Sequence, residues 1–86
     1  MVSKTCVIQN PTGLHARPAT LFVQKATSFP AEVFLTKGTK RANGKSIMGL
    51  MTLGLAKGDE VLLEVDGQQE NEALAELAAM LETVYE

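Results

Sequence analysis

Pro11-Thr12-Gly13-Leu14-His15-Ala16-Arg17-Pro18-Ala19 is the stretch on which the reading of this chain turns. Strand-like sequence precedes it, and Ala19, Phe22, Val23 and Ala26 follow at the spacing of a helix with one apolar face. His15, the only histidine in the sequence, therefore falls where a loop enters a helix. First-turn N–H groups have no intrahelical acceptor and carry the positive end of the helix dipole, roughly half an elementary charge. They attract anions. Pro18 is tolerated in such a turn because an early helical N–H is unpaired anyway. Imidazole titrates near a pKa of about 6.5, and a helix N-terminus favours its neutral, nucleophilic form. A phosphoryl group on His15 would meet the backbone donors of Ala16 and Arg17 and the Arg17 guanidinium, whose fork matches phosphate oxygens. Alone, His15 reads as a helix cap or a surface residue; with Gly13, Arg17 and Pro18 at these spacings, the residues describe a phosphoryl acceptor.

Gly13-Leu14-His15-Ala16-Arg17-Pro18-Ala19 resembles the active-site signature of the HPr family, and the likeness extends through Lys45-Ser46-Ile47-Met48-Gly49-Leu50-Met51-Thr52-Leu53-Gly54 to nearly the whole chain. Members are histidine-containing phosphocarriers of the bacterial phosphoenolpyruvate:sugar phosphotransferase system. The resemblance implies a carrier, not an enzyme, that takes a phosphoryl group on Nδ1 of His15 from phosphorylated Enzyme I. It then passes the group to a histidine of a sugar-specific Enzyme IIA, with no cofactor. It also implies possible phosphorylation of Ser46 by an HPr kinase/phosphorylase, which would create a surface for a catabolite control regulator. Two points depart from simple transfer. Some relatives carry lysines at the positions of Gln24, Thr27 and Gly49. A nitrogen-related branch shares the chemistry but serves regulation, whereas a catabolite-control homologue lacking the histidine is excluded by His15.

Composition bounds the rest. With 86 residues and 45% apolar content, the expectation is a single domain, residues 1–86, with one core. No stretch is long and apolar enough to span a membrane or serve as a secretory signal, so a cytoplasmic location is expected. One cysteine, Cys6, excludes an internal disulfide and a cysteine-rich metal site, and its place in an alternating pattern favours burial over reactivity. All eight Lys and Arg lie at or before Lys57, whereas nine of the ten acids lie at or after Asp59. Either the chain has a basic face that steers acidic partners, or folding interleaves the two segments. Lys40, Arg41 and Lys45 lack aromatic interleaving, so they read as solubilising, edge-protecting charges and not as a nucleic-acid site.

Taken in order, Val2, Cys6 and Ile8 alternate on one side of a first strand, with Lys4 in register and Ser3 and Thr5 opposite. It ends at Asn10-Pro11. Thr12 either bonds the loop or lies near a bound phosphate. A helix over 16–28 is stopped by Phe29-Pro30, and Thr20 and Leu21 fall off its core stripe beside the reactive turn. A strand over 31–37 turns inward Val33 and Leu35, and a turn at Lys37-Gly38 leads to a weak strand over 39–43. Ser46 caps a helix over 47–53 that Gly54 closes. Seven residues cannot bury five large apolar side chains. Leu50 and Leu53 are assigned to the core, and Ile47, Met48 and Met51 form either a surface patch for docking or filling for core gaps. Partner contact is thus expected at Thr20, Ile47, Met48 and Met51, next to Arg17.

Lys57-Gly58-Asp59 turns into a strand over 60–66 with Val61, Leu63 and Val65 inward. The last helix, over 69–84, has Leu74, Leu77, Leu81 and Val84 on its buried stripe, Glu70 and Glu72 at its start, and Glu76 and Glu82 on a solvated face. The order is βαββαβα. The economical α+β architecture places three helices on one face of a four-stranded, mainly antiparallel sheet whose other face meets water. That is the open-faced β-sandwich the resemblance implies, expected here as a monomer.

Overall fold

The computed structural model describes residues 1–11, 13 and 16–83, with the side chain of Ala16 excepted. The elements are β1 (Val2–Val7), α1 (Ala16–Thr27), β2 (Glu32–Lys37), β3 (Lys40–Asn43), α2 (Ile47–Leu53), β4 (Glu60–Asp66) and α3 (Glu70–Leu81). The expected βαββαβα order holds. The four strands form one sheet in the order β1-β4-β2-β3, and every neighbouring pair is antiparallel.

Period-two alternation dictates which face of that sheet is covered. In β4, Val61, Leu63 and Val65 are buried while the residues between them are not. Register carries the same phase to the neighbours: Cys6 lies opposite Val61, Leu35 opposite Leu63, Val33 opposite Val65 and Ala42 opposite Leu35. A one-residue slip of any strand would turn its apolar set to water. The helices close over this face with Ala19, Phe22 and Ala26 of α1, Leu50 and Leu53 of α2, and Ala73, Leu77, Ala78 and Leu81 of α3.

Some boundaries and faces differ from the sequence expectation. α1 stops at Thr27 because the N–H groups of Ser28 and Phe29 bond three residues back, to the carbonyls of Lys25 and Ala26, tightening the last turn. Val23 packs half-buried against the core instead of within it. α3 starts one residue late because Gln69 adopts a left-handed backbone (φ 61°), and it ends at Leu81. Its buried stripe runs through Ala73, Leu77, Ala78 and Leu81, and Leu74 is only partly buried. Two alanines let the helix lie close to the sheet, which moves the larger Leu74 to the flank. Val84 lies outside the described residues.

Of the two charge alternatives, interleaving is seen at four ion pairs. Lys4 pairs with Glu82 (3.8 Å), Lys25 with Glu76 (2.8 Å), Lys37 with Asp59 (2.8 Å) and Arg41 with Glu64 (3.9 Å). Each pair joins the basic segment to the acidic one. Glu76 and Glu82 are thus more than a solvated face, and Glu82 also accepts from the Val7 N–H (3.3 Å). Lys45 likewise does more than protect an edge, since its Nζ donates to the Phe29 carbonyl (2.8 Å) at the C-terminal end of α1. Arg41, on edge strand β3, lies 4.1 Å from the centroid of the Phe34 ring. Exposed pairs of this kind contribute about 0–1 kcal/mol each, so the core carries the stability.

Leu63 is fully buried at the centre of β4. Leu63→Ala is expected to destabilise the fold by about 2–5 kcal/mol, read as a lowered urea midpoint at an unchanged slope.

Candidate functional site

The turn before α1 is held by a buried amide. The alternation of Cys6 and Ile8 continues to Asn10, which lies on the inward phase and is 3% exposed, the one buried polar side chain among the described residues. Its Nδ2 donates to the Gly13 carbonyl (2.8 Å), and the Gly13 N–H donates to the Asn10 carbonyl (2.8 Å). The two residues clamp each other across the turn. Gly13 has a φ of 72°, and a Cβ there would overlap the Leu55 carbonyl and lie 2.9 Å from Ala56 Cα. Only glycine combines that backbone conformation with so close an approach.

α1 then begins at Ala16, the residue after His15 in sequence. Thr12, Leu14 and His15 lie outside the described residues, so the readings placed on Thr12 and His15 are not located by the structure. Pro18 and Ala19 are buried and anchor the first turn to the core, whereas Arg17 is exposed. No acidic side chain occupies that turn. Within the turn itself, no carboxylate opposes an anion at its N–H groups. Thr20 is half-buried and Leu21 is exposed.

α2 packs against α1 and supplies the second part of the region. Ser46 has the extended backbone of an N-cap, and its Oγ accepts from the Gly49 N–H (3.1 Å). Gly54 closes the helix in the left-handed region (φ 61°), and its N–H donates to the Met51 carbonyl. An alanine in place of the cap serine costs about 1 kcal/mol. Leu50 and Leu53 face the core, and Ile47, Met48 and Met51 are 40%, 79% and 44% exposed. The methionines are surface, not filling. Gly49 has ordinary space around a Cβ, the nearest atoms being Ser46 Cβ and Oγ at 3.4 Å.

The segment beneath Gly13 has its own network. The Ala56 N–H donates to Asp59 Oδ2 (2.8 Å), and the Asp59 N–H returns a bond to the Ala56 carbonyl (3.0 Å). Lys37 Nζ meets the same Asp59 oxygen and also donates to the Gly54 carbonyl (3.0 Å). The Lys37 ammonium, with the Ala56 N–H, holds the Asp59 carboxyl below its usual range. Sequence reasoning missed Asn10, although its place two residues after Ile8 in the alternating pattern was the available signal. It also missed Lys37 with Asp59, a pair 22 positions apart that no local pattern announces. Cys6 is buried as expected, and burial raises its thiol pKa. Among the described residues no group of three His, Cys, Asp or Glu side chains is placed to hold a metal ion, and no helix is long and apolar enough to cross a membrane.

Comparison with known proteins decides the family. The model of the PTS HPr component phosphorylation site matches residues 2–83. The chain belongs to the HPr family. Proteins of the HPr family are phosphocarriers of the phosphotransferase system that serves sugar transport, and are not themselves enzymes. The crystal structure of phosphocarrier protein HPr from Bacillus anthracis str. Ames superposes with a TM-score of 0.91 at 42% identity, covering 94% of this chain and 96% of that one. HPr-like protein Crh of Bacillus subtilis (strain 168) is 50% identical over 82 residues, 95% of this chain and 96% of its own. A structure described as an HPr dimer from Thermoanaerobacter tengcongensis aligns with a TM-score of 0.67 at 48% identity, covering 90% and 92% of the two chains.

Gly13→Ala tests the seating of the turn. It is expected to lower stability by about 1–3 kcal/mol through backbone strain and overlap with the Leu55 carbonyl, measured by thermal denaturation. Gly54→Ala, which meets only the backbone strain because a Cβ there has open space, serves as the comparison.

Proposed function

We propose that His15 is the residue through which this HPr-family chain carries phosphate. Nδ1 attacks the phosphorus of the phosphohistidine of Enzyme I in line, the donor's P–N bond breaks, and the leaving imidazole keeps the electron pair. The reverse sequence delivers the group to a histidine of an Enzyme IIA. The chain contributes placement and charge stabilisation: backbone N–H groups of Ala16 and Arg17 and the Arg17 guanidinium receive the phosphoryl oxygens. The observation that supports this best is that α1 starts at Ala16 with an exposed Arg17 and no acid in its first turn. Thr20, Ile47, Met48 and Met51 form the docking surface, and the chain acts as a cytoplasmic, single-domain monomer. Crh shares half of the aligned positions, but the carrier reading rests on His15 and not on overall identity.

A second role is favoured by the cap of α2. A phosphate on Ser46 Oγ would add about −1.5 to −2 charges where helix N–H groups converge, leaving the fold intact while placing a dianion beside Ile47 and Met48. Enzyme I would then be disfavoured, and a catabolite control regulator could read the modified surface.

Incubation with phosphoenolpyruvate and Enzyme I is expected to place acid-labile, base-stable phosphate on the wild-type chain and none on His15→Ala. Arg17→Ala is expected to slow the transfer by about tenfold or more, the worth of a charge-assisted hydrogen bond. Label on His15→Ala would refute the assignment. With ATP and an HPr kinase, acid-stable phosphate is expected on wild type but not on Ser46→Ala, and its absence from both would reject the regulatory role.

A further inference from the structure

Two side chains far from the signature in sequence hold the floor beneath it. Gly13 rests on the backbone of Leu55 and Ala56 so closely that no Cβ fits between them. Ala56 has both its backbone polar groups bonded to Asp59, the N–H to Oδ2 and the carbonyl to the Asp59 N–H. Lys37, reaching over from β2, ties that carboxylate (2.8 Å) to the Gly54 carbonyl (3.0 Å). On the other side the segment is stitched to β1, with the Ile8 N–H donating to the Asp59 carbonyl (2.9 Å) and the Gly58 N–H to the Ile8 carbonyl (2.8 Å). Residues 54–59 are thereby fixed at both ends and in the middle. Gly13 stands two positions before His15.

We infer that Lys37 and Asp59 are positioning residues for phosphoryl transfer, bracing the 54–56 backbone on which the Gly13 turn is seated. The inference rests on the carrier role of His15. The side-chain bonds of the pair run to each other and to the Gly54 and Ala56 backbone, so they act through Ala56 and Gly13. In-line transfer depends on near-attack geometry, and a misplacement of about 1 Å costs up to a hundredfold in rate. Release of the brace frees the Ala56 N–H and the Gly54 carbonyl to solvent, and the seat of the turn loosens. Lys37 and Asp59 have side chains 34% and 29% exposed, so the pair is replaceable without opening the core.

The test is steady-state phosphorylation by Enzyme I and phosphoenolpyruvate, with wild type, Lys37→Met, Asp59→Ala, the double variant and Lys37→Arg, alongside amide NMR. Lys37→Met and Asp59→Ala are expected to lower kcat by about three- to tenfold while KM stays within about twofold, and to speed hydrogen exchange at the Gly13 amide. The double variant should be no slower than the slower single one, since both break one brace. Lys37→Arg, which keeps charge and donors, should restore most of kcat. Variants that lose thermal stability but keep wild-type kcat and Gly13 exchange would overturn the inference, as would a defect confined to KM, which marks a docking contact. Absence of label on the wild-type chain would instead remove the carrier reading, and the inference with it.

Discussion

The apolar face of the sheet is the constraint from which the rest of the molecule follows. β4 lies between β1 and β2, and its residues Val61, Leu63 and Val65 set the phase that every other strand must match. Once that face exists it must be covered, and three helices with one apolar stripe each are what the chain has to cover it. α1 has little freedom in the matter. Phe22 and Ala26 hold it in the core, Pro18 and Ala19 hold its first turn, and so its N-terminal end is fixed by core packing. A helix placed in this way offers its first-turn donors at no further conformational cost at the moment an anion arrives.

Electrostatics act at a different scale from packing. The ion pairs that join the basic and acidic segments are exposed and individually weak. What they do is local. Lys25 with Glu76 links α1 to α3, and Arg41 with Glu64 lies on the open side of the sheet beside Phe34. Against this background the first turn of α1 stands out because it holds a guanidinium and no carboxylate. A single acid there would oppose a bound phosphoryl group over a few ångströms, where screening by salt is weakest.

Much of this was legible in the sequence because much of it is periodic. Alternation announced Val33 and Leu35, and Val61, Leu63 and Val65. The cap residues Ser46 and Gly54 delimited α2 to the residue. Reading failed where neighbours in space are distant in the chain. In α3 both Ala73, Leu77 and Leu81 and the sequence's choice of Leu74, Leu77 and Leu81 fit a helical stripe, and the proximity of the sheet, invisible in the sequence, decided for the smaller residue. Lys45 read as an edge-protecting charge and Lys37 and Asp59 as turn residues because their bonds, to Phe29, to Gly54 and to each other, join segments distant in the chain. Asn10 was legible in principle, since it continues the phase of Cys6 and Ile8, but the proline after it reads as the end of the strand. At the candidate site, the turn residue Gly13 was legible, whereas the floor beneath it comes from tertiary contact.

α2 shows how a small domain can leave apolar surface uncovered. A seven-residue helix is too short to be stable alone, and its nucleation cost must be offset from outside. Here Ser46 satisfies the Gly49 N–H, the Gly54 N–H closes the other end, and Leu50 and Leu53 supply the buried contact. Because caps and two leucines suffice, Ile47, Met48 and Met51 are not needed by the core. On the proposed reading of this patch as a docking surface, it has to bind briefly and accept more than one shape, because a carrier must release one partner before it meets the next. Methionine, unbranched and polarizable, suits that demand better than a rigid side chain would. If the patch were instead recruited into the core, α2 would have to rotate about its axis, and Leu50 and Leu53 would leave it. The division between buried and exposed residues on this helix is thus fixed by the same packing that covers the sheet.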